Sequence, residues 1–84
     1  MQGITVTVLF FGRLREIVGR GEDTFEVHDG EAISWIYAHY GERWPELVAF
    51  RGSVVASRNR EFAAWDTAVH ADDEIGFLPP VSGG

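Results

Sequence analysis

Cysteine is absent from these 84 residues. That excludes a disulfide framework, a thiolate zinc site, an iron–sulfur cluster and a thiol nucleophile, because each needs that side chain's sulfur. A small domain without disulfides fits the cytosol, so a cytoplasmic location is expected. Lysine is absent too. All seven cations are arginine, and no side-chain amine is present to attack an activated carbonyl. Long apolar runs are missing: none approaches the roughly 20 residues that cross a bilayer. Met1-Gln2-Gly3-Ile4-Thr5 has no basic start and no secretory-signal character. Positive charge is scarce, with thirteen acids against seven arginines and a net charge of −6. That balance opposes nonspecific binding to nucleic acid or anionic lipid, both of which need positive surface, and favours a basic protein partner. Neither nucleic acid nor membrane is expected among the partners.

What is present argues for one thin-cored folded domain. The hydrophobic fraction is 45%, with three Trp, six Phe and two Tyr, which rules out disorder. A chain this short buries only about 60–65% of its unfolded surface, too little for a deep enclosed active site.

The apolar residues fall into recognisable periods. Ile4, Val6, Val8 and Phe10 alternate with Thr5, Thr7, Leu9 and Phe11, which predicts a first strand with one strongly apolar face. Leu14, Ile17 and Val18 have helical spacing within 13–18, and Gly19 and Gly21 would stop that short helix. Residues 23–28 alternate again with Phe25 and Val27 inward, so the two strands form an enlarged antiparallel hairpin. Ile33, Ile36, Tyr37, Tyr40 and Trp44 mark one face of the main helix, with Asp29 as its N-cap, Glu31 in its first turn and its end set by Pro45. A strand is expected over 52–57, then a turn at 57–60, a brief pairing at Glu61-Phe62, a loop, and a tight turn at Asp72-Asp73 into a last strand over 74–78. A helix crossing over after an N-terminal hairpin packs on one face of a mixed sheet. The expected fold is therefore α+β, a β-grasp or ubiquitin-like domain over 1–78 followed by an extended tail over 79–84.

Catalytic constellations are few. His28, His39 and His70 lack a second ligand at metal spacing, so no metal site is expected. Asp72-Asp73-Glu74 reads as a solvated acidic turn without calcium-loop spacing. No phosphate-cradling or nucleophile-elbow pattern occurs, and Ser34, Ser53, Ser57 and Ser82 have no evident base. The tail stands out. Pro79-Pro80 favours an extended spacer, and the six residues to Gly84 can reach roughly 20 Å. Gly83-Gly84 can thread a channel too narrow for any side chain. The terminal carboxylate is ionised at neutral pH and resists nucleophiles until activated, for instance as an acyl-adenylate.

These residues carry a family resemblance. Phe77-Leu78-Pro79-Pro80-Val81-Ser82-Gly83-Gly84 resembles the C-terminus of the molybdopterin synthase sulfur-carrier (small) subunits. The opening Val8-Leu9-Phe10-Phe11-Gly12-Arg13-Leu14-Arg15-Glu16-Ile17-Val18-Gly19 is similar to that family's first strand and short helix, and Val55-Ala56-Ser57-Arg58-Asn59 to its middle strand. One departure lies in the turn before the last strand. Asp-Gly-Asp-Glu is usual there, and this chain has Ala71-Asp72-Asp73-Glu74. The resemblance implies a carrier subunit that supplies the reacting group and no general acid or base. A ubiquitin-activating-enzyme-like adenylyltransferase would use ATP and magnesium to adenylate Gly84, with no cofactor bound to the carrier itself. A sulfurtransferase would supply sulfur for a Gly84 thiocarboxylate. The tail, Pro79 to Gly84, would then enter the large catalytic subunit and donate sulfur to a cyclic pyranopterin monophosphate.

Phe11, Phe62 and Leu78 occupy polar-side registers, where apolar residues are unexpected, and could form an exposed docking patch. Arg15 resembles the arginine this family uses beside that patch. Three alternatives remain open: a sulfur carrier for thiamine or cysteine synthesis, a ubiquitin-like protein modifier joined through Gly84, and an interaction module with an inert tail.

Overall fold

The computed structural model describes residues 3–79. Strand β1 (Gly3–Phe10) leads through helix α1 (Gly12–Val18) to strand β2 (Glu22–His28), and the two strands pair antiparallel with Val6 opposite Phe25. Helix α2 (Ile33–Arg43) crosses the sheet, followed by a short helix α3 (Glu46–Phe50) and a 3₁₀ turn (Arg51–Ser53). Strands β3 (Val55–Arg58), β4 (Glu61–Ala63) and β5 (Glu74–Leu78) complete the sheet in the order β2-β1-β5-β3-β4. Only β1 and β5 are parallel; the other pairs are antiparallel. This mixed sheet with its crossing helix is the expected β-grasp fold.

The core lies between α2 and one face of the sheet. Val6, Val8 and Phe10 from β1 and Ile75 and Phe77 from β5 meet Ile33, Ile36 and Tyr37 from α2, all essentially solvent-free. The rings interlock edge-on: Tyr37 stands on Phe77 at 5.0 Å and Phe10 on Tyr40 at 5.0 Å. That arrangement sets the positive edge of one ring against the negative face of the next. The Tyr37 hydroxyl donates to the Leu47 carbonyl at 2.6 Å and so ties α2 to α3. Burial pushes the Tyr37 phenol up to about 12, against a smaller opposing pull from Arg51.

Several local expectations need correction. Asp29 does not cap α2; the helix starts at Ile33 with Ala32 at the N-cap and no acid in its first turn. Its first amides are satisfied by the 65–67 loop instead, Ile33 N–H donating to Thr67 and Ser34 N–H to Trp65. Asp29 pairs with His70 at 2.9 Å. Pro45 does end α2, yet its φ of −55° also suits a new helix, and α3 begins one residue later and buries Leu47. The strand expected from Gly52 begins only at Val55, because 51–53 continue as a 3₁₀ turn.

The acidic turn is not fully solvated either. Asp73 is buried, and its carboxylate accepts bonds from Arg58 Nε, Asn59 Nδ2 and the His70 N–H, each within 2.9 Å. Burial opposes its ionisation, but the bonds from Asn59, His70 and Arg58, with the Arg58 charge, outweigh it and hold the carboxyl below the usual range. Asp72 takes the left-handed φ of 68° where the family pattern has glycine. No described helix is long and apolar enough to cross a membrane.

Candidate functional site

The face of the sheet away from α2 carries the second apolar surface. Alternation along β1 and β5 sends Leu9, Gly76 and Leu78 to this face while Phe10 and Phe77 go to the core. Cross-strand pairing then adds Ser57 opposite Gly76, Phe62 opposite Ser57, and Val55 opposite Leu78. Phe11, the residue after β1, turns its ring onto the same face.

These residues enclose a shallow recess of about 210 Å³, walled by Leu9, Phe11, Phe62 and Leu78 and rimmed by Arg60 and Glu74. Phe62 is 80% exposed and Phe11 44%. Rings this open add little to the fold and leave apolar area for a partner. Gly76 forms the floor: a Cβ there would lie 2.5 Å from Ser57 Oγ and 3.4 Å from the Phe11 ring. The rim rests on a tight hairpin turn in which Asn59 and Arg60 both have positive φ, 51° and 71°. Such φ values match the twist of paired strands. The Asn59 side chain braces the turn by accepting from Glu74 N–H while donating to Asp73. Arg60 then reaches Glu74 at 3.5 Å across the recess mouth.

Three expected docking residues, Phe11, Phe62 and Leu78, thus meet in one recess. Arg15 is not among its lining residues. It lies one helical turn on from Phe11, and its guanidinium flanks Gly21 before β2. Leu9, Arg60 and Glu74 were missed. Leu9 shows the same signal as Phe11, an apolar side chain on the polar register, whereas Arg60 and Glu74 become neighbours only through strand pairing. Pro79 follows β5 and packs on Gly12: a Cβ on Gly12 would come within 2.9 Å of the Pro79 ring, and the residue has φ +53°. Glycine is needed there on both counts. This contact sets where the chain leaves the sheet beside Phe11. Pro80, Val81, Ser82, Gly83 and Gly84 lie outside the described residues.

The sequence matches the ThiS family over residues 8–84. The chain belongs to that family. A molybdopterin synthase sulfur carrier subunit from Haemophilus influenzae is 34% identical over 83 residues, covering 94% of this chain and 99% of that protein. The solution structure of small archaeal modifier protein 1 from Methanosarcina acetivorans superposes with a TM-score of 0.81 at 28% identity, covering both chains completely. A chain from the Helicobacter pylori complex of subunits 1 and 2 of molybdopterin-converting factor has a TM-score of 0.63 at 23% identity, covering 96% of this chain and all of that one, a likeness of fold. The resemblance read from the opening, the middle strand and the C-terminus is thus matched along nearly the whole length.

Proposed function

We propose that this chain is the sulfur carrier of a molybdopterin synthase, working in the cytoplasm as a non-catalytic subunit. The observation that carries the reading is the near-full-length likeness to a sulfur carrier subunit in a chain that ends Gly83-Gly84 and has no cysteine. With no thiol in the chain, the terminal carboxylate is the group that can hold transferable sulfur.

An adenylyltransferase with ATP and magnesium converts the Gly84 carboxylate to an acyl-adenylate and releases pyrophosphate. Sulfur delivered by a sulfurtransferase displaces AMP and leaves a thiocarboxylate. The recess around Phe11, Phe62 and Leu78, with Arg15 beside it, docks on the large catalytic subunit. Pro79 and Pro80 hold the tail extended, and Val81 to Gly84 enter the partner, where the thiocarboxylate sulfur bonds to a cyclic pyranopterin monophosphate and water cleaves the Gly84 C–S bond, restoring the carboxylate. The chain contributes position and a leaving atom; the acids, bases and phosphate-binding cations belong to the partner.

Intact-mass analysis of protein from its own cells should show one oxygen replaced by sulfur at the C-terminus. Deleting Gly84 moves the reacting carbonyl by about 3.5 Å. That displacement should abolish sulfur transfer in a reconstituted assay and leave folding unchanged. Full activity without Gly84 would overturn the carrier role.

The likeness to small archaeal modifier protein 1 favours one second reading, a modifier joined through Gly84 to amines of other proteins. Isopeptide adducts in cells, with no thiocarboxylate, would decide for it. Transfer to a thiazole or cysteine precursor in place of the pterin would assign the carrier to another pathway.

A further inference from the structure

Strand β2 ends the sheet opposite β4, and no described strand pairs with its outer side. It runs seven residues, against three for β4. Phe10 N–H donates inward to Gly21 across the β1–β2 pair, and Thr7 N–H donates to Asp73 on the other side. By alternation the N–H and C=O groups of Glu22, Thr24, Glu26 and His28 point outward from the edge. Those four side chains lie on the helix-free face. Asp23, Phe25 and Val27 lie on the α2 side.

There the edge adjoins a cleft of about 410 Å³. Phe25, His39, Tyr40 and Trp44 form its aromatic wall, and Trp35 extends the row just outside it. Trp35 stacks on His39 at 5.5 Å, Phe25 touches Trp35, His39 and Tyr40, and Tyr40 stacks on Trp44 at 6.1 Å. Trp35 is 43% exposed. The cations at the cleft are already engaged: Arg20 holds Asp23 at 3.3 Å, and Arg43 lies over the Trp44 ring at 4.7 Å. Tyr40 Oη donates to the other Asp23 oxygen at 2.7 Å.

We propose that the outer edge of β2, together with this cleft, accepts an extended strand of a partner protein in which basic residues alternate with apolar ones. Backbone pairing with the outward groups of β2 supplies affinity, and the alternation supplies specificity. Residues opposite Glu22 and Glu26 meet carboxylates on the helix-free face, where a cation is favoured. Their neighbours turn to the α2 side and lie on Phe25, Trp35 and Trp44. A second copy of this chain is disfavoured in one register. Antiparallel pairing centred on Thr24 would set Glu22 of each copy against Glu26 of the other, and like charges directly opposite repel. The surface lies at the far edge from Phe62, so it is independent of the recess and of the sulfur chemistry.

The probe is a capped heptapeptide with lysine at odd positions and valine or phenylalanine at even ones. Titrated into the intact protein, it should shift the amide resonances of 22–28 and the indole signals of Trp35 and Trp44, and leave Phe62 and Leu78 unmoved. N-methylation of one set of alternate amides should abolish binding, and methylation of the other set should not. Glu22→Arg with Glu26→Arg, both on exposed positions, should weaken the lysine peptide about tenfold and favour its glutamate counterpart. Equal binding of a scrambled peptide of the same composition, tolerance of both methylation patterns, or shifts centred on the recess would each overturn the proposal.

Discussion

The two faces of β5 show what the fold does with apolar side chains. Ile75 and Phe77 are sealed beneath α2, while Leu78, one residue on, is half-buried on a face that no described helix covers. Phe10 and Phe11 divide in the same way, the first solvent-free and the second 44% exposed. Neighbouring residues of one chemistry thus serve different ends. Burial against a helix turns area into folding free energy, whereas an open face leaves that area for association.

The sharpest way to break the comparison is to truncate one ring on each face. Phe77→Ala removes a ring packed on Phe10, Tyr37 and Trp65 and should cost about 3–5 kcal/mol in chemical denaturation. Phe62→Ala should change stability by less than about 0.5 kcal/mol, yet weaken binding to the proposed large-subunit partner by about 2 kcal/mol in calorimetry. If Phe62→Ala melts as low as Phe77→Ala and binds normally once folded, the open face is a second core.

The Asp73 knot sharpens the contrast, since it fixes the turn that carries the recess rim. Asp73→Asn should lose about 1–3 kcal/mol at neutral pH, because Arg58 and the turn amides keep a poorer acceptor. The sign with pH follows from a folded pKa held below the unfolded one. The stabilisation is complete above the unfolded value and drains away as pH falls through the folded one. The gap between wild type and variant should therefore begin to close only below about pH 4 and vanish below the folded value. A gap that stays constant into acid would exclude this role for the carboxylate. Tyr37→Phe should have the smallest effect, about 0.5–1.5 kcal/mol in thermal melts, from the lost bond to Leu47. Recess binding should be unchanged, because the hydroxyl lies on the helix side.

Much of this molecule was legible along the chain. Period-two alternation located β1, β2 and β5, helical spacing located α1 and α2, and the opening, the middle strand and the C-terminal residues carried the family likeness. These are local signals, written in residues a few positions apart. The apolar residues on polar registers, Phe11, Phe62 and Leu78, were legible for the same reason. The supports were not. Helix α2 draws its N-terminal bonds from Thr67 and Trp65 rather than from Asp29, and Asp73 is buried by Arg58 and Asn59, fourteen or more residues away in sequence. Loop carbonyls and cross-strand partners have no local pattern, since any residue offers the same backbone oxygen. The sequence by itself determined the strand and main-helix periods, the lack of thiol and lysine, and the Gly83-Gly84 pair. Only the tertiary structure decided that Leu9, Arg60 and Glu74 join the recess, that Gly12 sits against Pro79, and that the outer edge of β2, unpaired among the described residues, lies beside an aromatic cleft. Those outcomes depend on strand order and register, which are set by burying all of the apolar faces at once.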